Sequence, residues 1–388
     1  MEEIQKIIHN MKASNIDVAL LCSFENVVYT SGFDTPTTAG AGNDFAGGYP
    51  LSYVLINART SELKFLTIDF YKAIADEQCF IEQQEFFNLF DHFKSVDNAN
   101  AVCTAVRKML SGQVNSHTTL GIEKKCLPVL LYEMIVSEFA GIKICEVSEV
   151  IYGARKIKTD REIKLIKKSV EVNDSGMNAF VNIAKNFSGQ NEIEVWNHVR
   201  SKLTETNGED LIIFGELITG QRPKPLGFLS GPIDRKIEIG DLGMIDLSNR
   251  CRGYWADCSN VVVFGSGPSE QQKRYTKIVN NAYEAILSAI KPGVRCCDVD
   301  AVAHKVFNSS GFDFLVYTGH QIGCTVNELP RILSYETALI EKNMVFSIEP
   351  QIYTGDFNAV CYRLEKVIIV KDNGAEELSS FNWGIQDL

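Results

Sequence analysis

No stretch of this sequence stays apolar for the roughly 20 residues that a bilayer-crossing helix requires, so no membrane role is expected. Basic charge is scarce as well: 38 Lys and Arg stand against 49 Asp and Glu, a formal net charge of −11. Phosphate backbones repel such a chain. Its densest basic run, Lys156–Lys168, is broken by Asp160 and Glu162, so no nucleic-acid partner is expected. There is no internal repeat and no low-complexity tract, and the 11 cysteines form no CxxC pair. Their number is odd, and Cys296 and Cys297 are adjacent, a poor geometry for bridging each other. Cys22, Cys79, Cys103 and Cys145 sit inside apolar stretches. The opening Met1-Glu-Glu-Ile is acidic and amphipathic, unlike a secretory leader. Together these features lead to an expectation of reduced, structural thiols in a cytoplasmic protein.

What is present is the composition of an ordinary globular chain, 45% hydrophobic and 22% charged over 388 residues. That excludes a disordered tail, a collagen-like chain and a coiled coil. The length suits two domains of roughly 150 to 230 residues rather than one core. In the first part, Ile4, Ile7, Ile8 and Met11 recur at helical spacing. Asp17–Cys22 reads as a buried strand, and Asn26–Phe33 as a second extended piece ending at Gly32. A Gly/Ala/Thr-rich loop is expected over Asp34–Tyr49, then strands at Tyr53–Asn57 and Leu63–Ile68 and helices at Asn98–Ser111 and Pro128–Phe139. Strands alternating with helices predict an α/β domain over residues 1–155. Thr159-Asp-Arg-Glu162 is a capping box that opens a helix just past the boundary. Further helices are expected at Glu192–Glu205, Ser269–Ile290 and Val299–Asn308. Strands are expected at Leu211–Glu216, Gly243–Asn249, Tyr254–Phe264, Met344–Ile348 and Cys361–Val370. Helices segregated from a mostly antiparallel sheet make 156–388 an α+β domain.

Chemistry concentrates in Gly243-Met-Ile-Asp-Leu-Ser-Asn-Arg-Cys-Arg-Gly-Tyr-Trp-Ala-Asp257. Read as a hairpin with its turn centred on Cys251–Arg252, it sets Asp246 opposite Asp257 with Cβ atoms about 5 Å apart. A bulge at Gly253 would shift this by one residue. Like charges opposed in a sheet are unfavourable unless a cation lies between them, and paired metals in hydrolytic sites sit about 3.5–4 Å apart. Two exposed acids near a turn are the plainer alternative. Of the six histidines, His9, His198 and His304 fall in amphipathic helical patterns, and His92 and His117 in polar stretches. His320 stands between Gly319 and Gly323, small neighbours that let a ligand approach. Glu349 and Glu365 interrupt apolar strand-like runs, where an acid is costly to bury unless it is paired or metal-bound. A surface position for Glu349 and a salt bridge from Glu365 to Arg363 or Lys366 remain open.

In order and local context, Asp246, Asp257, His320, Glu349 and Glu365 resemble the metal ligands of the M24 metallopeptidases, the pita-bread family of methionine aminopeptidase, aminopeptidase P, prolidase and creatinase. The segments that carry the resemblance are IDLSNRCRGYWADCSN, TGHQIGCTVNELPRI, FSIEPQIY and YRLEKVIIV. NVVYTSGF and ARKIKTDREIKLIKKS are similar to the amino-terminal domain and linker of the creatinase/prolidase branch, so the likeness spans most of the chain. It implies a pita-bread catalytic domain over 156–388 behind a smaller creatinase-type domain over 1–155. It also implies two divalent ions, expected to be Mn²⁺ with Co²⁺, Zn²⁺ or Fe²⁺ as alternatives. On this likeness Asp246 chelates one ion, Asp257 and Glu365 bridge both, and His320 and Glu349 complete the other shell. Four carboxylates and one imidazole form a hard, oxygen-rich set suited to Mn²⁺. Glu349 is the expected proton acceptor for a metal-activated bridging water, and Arg363 the residue that braces the site. Relatives of this branch are commonly dimers in which the amino-terminal domain reaches the neighbour's site, so a homodimer with the Asp34–Tyr49 loop near a pocket is expected.

Two histidines that the family's peptidases usually carry are missing. Asn327 occupies the position seven residues after His320, and the stretch Thr219–Gly227 ahead of the hairpin contains none. Asparagine donates a hydrogen bond but does not titrate, and general acid–base assistance is worth about 10²–10⁴-fold. The leading expectation is a dinuclear-metal hydrolase cleaving Xaa-Pro peptides or dipeptides. A creatinase-like enzyme acting on a small non-peptide C–N or other substrate, as hydrolase or lyase, is the alternative. A bare scaffold is disfavoured because all five expected ligands, four carboxylates and one imidazole, are intact.

Overall fold

The computed structural model describes residues 1–36, 48–220, 231–312, 317–353 and 361–385. It divides into two compact units, Met1–Arg155 and Lys156–Leu388. Among the described residues no helix is long and apolar enough to cross a membrane.

The first unit is α/β, as its alternating pattern predicts. Its elements are α1 Glu2–Ala13, β1 Val18–Leu21, α2 Phe24–Ser31, β2 Ser52–Asn57, β3 Leu63–Ile68, α3 Lys72–Gln78, β4 Gln84–Phe87, α4 Asn98–Leu110, β5 Thr119–Ile122, α5 Val129–Glu138, β6 Lys143–Glu146 and α6 Ser148–Arg155. Six strands form one mixed sheet in the order β4-β3-β2-β1-β5-β6. The β1–β2 and β2–β3 pairs run antiparallel and the outer pairs parallel. The extended piece expected at Asn26–Phe33 is instead the helix α2. Ser23 caps it by accepting from the Asn26 N–H, and Gly32 ends it in the left-handed conformation at φ 77°. The carboxylate of buried Glu123 also accepts the N–H groups of Cys22 and Ser23, so the start of the helix is held from another strand. Tertiary satisfaction of these amides outweighs the β preference of Val27, Val28 and Tyr29. Most of the loop expected at Asp34–Tyr49 lies outside the described residues.

The second unit contains α7 Asp160–Lys185, α8 Glu192–Asn207, β7 Ile212–Thr219, β8 Leu242–Cys251, β9 Tyr254–Val263, α9 Glu270–Ala289, α10 Cys296–Ser309, β10 Gly319–Gln321, β11 Glu328–Ile332, β12 Val345–Ile348, β13 Gln351–Tyr353, β14 Cys361–Arg363, β15 Lys366–Lys371 and β16 Gly374–Glu377. Its sheets are β11-β10-β12-β15-β16, β7-β8-β9 and the ribbon β13-β14, with every pairing antiparallel. This is the α+β class expected. The Thr159–Glu162 capping box opens α7, and similar boxes at Asn191 and Ser269 open α8 and α9. Each such cap is worth about 1 kcal/mol. From α7, Ser169 donates to the Tyr254 carbonyl at 2.8 Å and Asn173 to the Leu247 carbonyl at 2.6 Å. These bonds tie the helix to the back of the β8–β9 hairpin. One apolar core packs α9 against β13 and β14 through Tyr275, Val279, Ile352 and Tyr362. A second packs α9 and α10 under the five-stranded sheet through Ile286, Val299, Phe346 and Ile368.

The single strand expected over Cys361–Val370 is two strands in different sheets, β14 and β15. Between them the backbone of Glu365 leaves both ladders to pair with Ser259 of β9, through N–H···O bonds of 3.2 and 3.0 Å. Sequence periodicity cannot register such a switch, because the apolar residues run on through it.

Candidate metal centre

The β8–β9 hairpin sets two of the acids. Its closing pair is Cys251↔Tyr254, and its two turn residues, Arg252 and Gly253, have φ of 50° and 81°. A two-residue turn with positive φ at both positions matches the right-handed twist of the strands, and glycine adopts it without strain. The turn centre therefore falls one residue later than expected, and the pairs are Asp246↔Ser259 and Ser248↔Asp257. The two aspartates are diagonal neighbours on one face, not directly opposed. This separation moderates their repulsion and places a serine across from each. Ser248 Oγ donates to Asp257 Oδ1 at 2.8 Å, and Ser259 Oγ lies 3.0 Å from Asp246 Oδ1 and 2.7 Å from Glu365 Oε2.

His320 enters from β10, which lies between β11 and β12 in the five-stranded sheet. Its Nδ1 lies 2.9 Å from the carbonyl oxygen of Gln321. A carbonyl only accepts, so Nδ1 carries the hydrogen and Nε2 presents a lone pair. Burial lowers the imidazole pKa to about 4, which keeps the ring neutral. Nε2 faces Glu349 Oε1 at 3.4 Å, Asp257 Oδ2 at 3.8 Å and Glu365 Oε1 at 3.9 Å. With the imidazole neutral, these approaches are not salt bridges. Glu349 follows β12, fixed by its N–H to the Thr318 carbonyl at 2.9 Å.

Electrostatics around this point are unfavourable without a cation. Asp257, Glu349 and Glu365 are all buried. Burial, then the neighbouring acids, pushes each carboxyl well above the usual carboxylate range. Glu349 Oε1 and Glu365 Oε1 have no hydrogen-bond partner. Ligand atoms of Asp257, His320 and Glu365 lie within 4.8 Å of one another. Buried, unpaired oxygens facing an imidazole lone pair are the donor set a divalent cation satisfies, and the residues present fit one.

Arg363 supplies the local positive charge. Its Nη2 is 2.6 Å from Asp246 Oδ2 and 3.8 Å from Glu216 Oε2, Nη1 is 3.7 Å from Glu349 Oε2, and Nε donates to Ser259 Oγ at 2.8 Å. Glu365 pairs with neither Arg363 nor Lys366 in the manner left open by the sequence; Lys366 reaches Glu377 at 3.4 Å instead. Asn327 lies on the loop that leads into β11. Its amide nitrogen donates to Tyr317 Oη at 3.2 Å, and its Oδ1 accepts from Arg331 Nε at 2.8 Å. The Tyr317 ring stands edge-on to His320 with centroids 5.8 Å apart, which brings Asn327 to the border of the cluster through one side chain. The other stretch without a histidine, Thr219–Gly227, lies beyond Gly220 outside the described residues.

Five supporting residues escaped sequence reasoning. Ser248 and Ser259 each follow an aspartate by two positions, so strand alternation was the signal that could have found them. Glu216 sits across from Asp246 on β7. Lys158, fully buried, holds Glu328 Oε2 at 2.9 Å and Gln321 Oε1 at 3.0 Å, steadying the residue whose carbonyl orients His320. In the sequence it is one lysine of the charged run Lys156–Lys168. Gln351 carried no chemical signal in sequence.

The profile of metallopeptidase family M24 matches residues 164–372, and that of the creatinase/prolidase N-terminal domain matches residues 3–157. An Xaa-Pro dipeptidase from Pyrococcus horikoshii is 29% identical over 382 residues, covering 97% of this chain and 97% of that protein. One from Pyrococcus furiosus is 28% identical over 386 residues, with 97% of each covered. The crystal structure of the prolidase from Pyrococcus horikoshii superposes with a TM-score of 0.76 at 29% identity, covering 99% of both chains.

Proposed function

The chain belongs to metallopeptidase family M24, and from that membership we propose that it is a metal-dependent hydrolase that cleaves Xaa-Pro peptides or dipeptides. Membership implies divalent metal. We assign Asp246, Asp257, His320, Glu349 and Glu365 to hold two ions, with Mn²⁺ preferred by this hard, oxygen-rich set and Co²⁺, Zn²⁺ or Fe²⁺ as substitutes. When bound, the ions supply Lewis acidity, polarising the scissile carbonyl and bringing the pKa of a water toward neutrality. The observation that carries the reading is the pair of buried, unpartnered oxygens, Glu349 Oε1 and Glu365 Oε1, facing the lone pair of His320.

The chain's own groups then divide the remaining work. Glu349 Oε1 receives the proton of the attacking water, since it is buried and has no competing donor. Arg363 fixes Asp246 and Glu349 through its guanidinium. The Nδ1–H of His320 stays on the Gln321 carbonyl, which keeps Nε2 available. Asn327 gives one amide hydrogen to Tyr317 and keeps a second with which to orient the substrate carbonyl. The domain assignment that accompanies this reading is a creatinase-type domain over 1–155 and the catalytic domain over 156–388. A cytoplasmic homodimer is the proposed assembly, supported by an exposed apolar stripe of Val129, Tyr132 and Val136 on α5.

Release of proline from Xaa-Pro dipeptides by chelator-stripped and Mn²⁺-reconstituted protein tests the proposal. Metal-restored release is expected; no release under either condition overturns it. One observation favours a second reading: Asn327 does not titrate and is tied to Tyr317 and Arg331. Turnover of a small amidino compound without peptide cleavage would establish that creatinase-like alternative.

A further inference from the structure

Gln351 is 2% exposed, yet neither its Oε1 nor its Nε2 has a hydrogen-bond partner. The register of the β13–β14 ribbon says where its side chain goes. It directly faces Arg363 across the β13–β14 ribbon, and cross-strand partners project from the same face. The next pair, Ile352↔Tyr362, projects from the opposite face into the apolar core. Gln351 thus stands beside Arg363 on the face that carries the metal-ligating cluster. Arg363 is engaged with Asp246 and Ser259 and does not serve the Gln351 amide.

We propose that Gln351 determines specificity by pairing through both amide atoms with a primary carboxamide of the substrate outside the scissile bond. A buried primary amide offers one acceptor and a donor pair, and leaving either half unmatched is unfavourable. A substrate carboxylate engages only Nε2, and an ammonium only Oε1. An amide engages both in a two-bond ring, and is therefore favoured over its carboxylate counterpart by roughly 10- to 100-fold. This deepens the proposed peptidase function, on which it rests: it selects substrates in which the proline ends in a primary amide over free dipeptides.

Prolinamide and proline, which differ only in this group, are suitable probes. Their dissociation constants are measured calorimetrically on the Mn²⁺-loaded wild type, on Gln351→Met, which keeps volume and removes the amide, and on Gln351→Glu, which keeps an acceptor and removes the donors. The wild type is expected to prefer prolinamide, and both variants to lose that preference by 10- to 100-fold. In parallel, the ratio of kcat/KM for the dipeptide amide of Ala-Pro over Ala-Pro itself is expected to fall by a similar factor. An unchanged affinity ratio in Gln351→Met, with water filling the amide's needs, or a wild type without preference, overturns the proposal. Binding and turnover separate the two inferences. Amide preference lost on substitution, in a protein that cleaves no Xaa-Pro peptide, would leave Gln351 its role and remove the peptidase reading. Xaa-Pro cleavage with an unmoved ratio would do the reverse.

Discussion

Replacing Glu365 by glutamine should stabilise the metal-free protein while abolishing its response to metal. Ligand oxygens of Asp257 and Glu365 lie within 4.8 Å of each other. Two unit charges at that distance, in an effective dielectric of about 20, repel by about 3.5 kcal/mol. The protein relieves part of this by holding protons, which is why both carboxyls are pushed above the ordinary range, first by burial and then by neighbouring acids, Asp246 and Glu349 acting on Asp257, and Asp257 and Asp246 on Glu365. A carboxyl whose folded pKa is raised binds more protons folded than unfolded, so its contribution is favourable at low pH and is lost as pH rises. Metal-free wild type should therefore weaken from pH 5 to pH 8. Glu365→Gln should follow a shallower slope, with the gap opening from near zero to about 3 kcal/mol. Divalent metal at 100 times its dissociation constant adds about 2.7 kcal/mol to a protein that binds it, and this gain should appear only in the wild type. Urea unfolding followed by tryptophan fluorescence reads the relevant unit, since Trp196, Trp255 and Trp383 all lie in residues 156–388. A variant no more stable than wild type at pH 8 in chelator, or one that Mn²⁺ stabilises equally, would refute the reasoning.

Asp257→Ala and Glu365→Ala should each abolish metal-dependent turnover with little change in far-ultraviolet dichroism, because the acids repel when no cation joins them; full activity in either would sink the ligand assignment. Asn327→His should raise Xaa-Pro hydrolysis if the missing imidazole limits the rate, up to the 10²–10⁴-fold typical of general acid–base assistance. An unchanged rate would point to the small-molecule alternative. Thr159→Ala removes the capping-box hydroxyl that Glu162 N–H donates to, and should lower stability by about 1 kcal/mol without altering metal affinity. A shift in metal affinity would show that the start of α7 is coupled to the site through nearby Lys158.

How far the site could be read in advance is best seen residue by residue. Asp246, Asp257, His320, Glu349 and Glu365 stand out as acids or an imidazole in strand-like or glycine-flanked surroundings, but it is the resemblance to family M24 that joins them into one set. The hairpin was visible too, but its register was not: Arg252 adopts a positive φ that nothing in its identity announces, and this moves the pairing by two residues. The helix at Phe24–Ser31 was misread because its β-branched run hides amide satisfaction by Ser23 and by Glu123, about a hundred residues away.

Local chemistry, then, settled the class of each unit and most helix starts and marked the acids that a family resemblance joins into one set, because caps, periodicity and the cost of buried charge act within a few residues. Tertiary structure alone decided the rest. It brought Glu365 to Ser259 by breaking one apolar run between two sheets, turned the lone pair of His320 inward through the Gln321 carbonyl, and buried Gln351 with its amide unmatched. The Glu365 and Gln351 placements depend on which distant strand lies alongside, and the Gln321 side chain beside His320 is held by Lys158, 163 residues away.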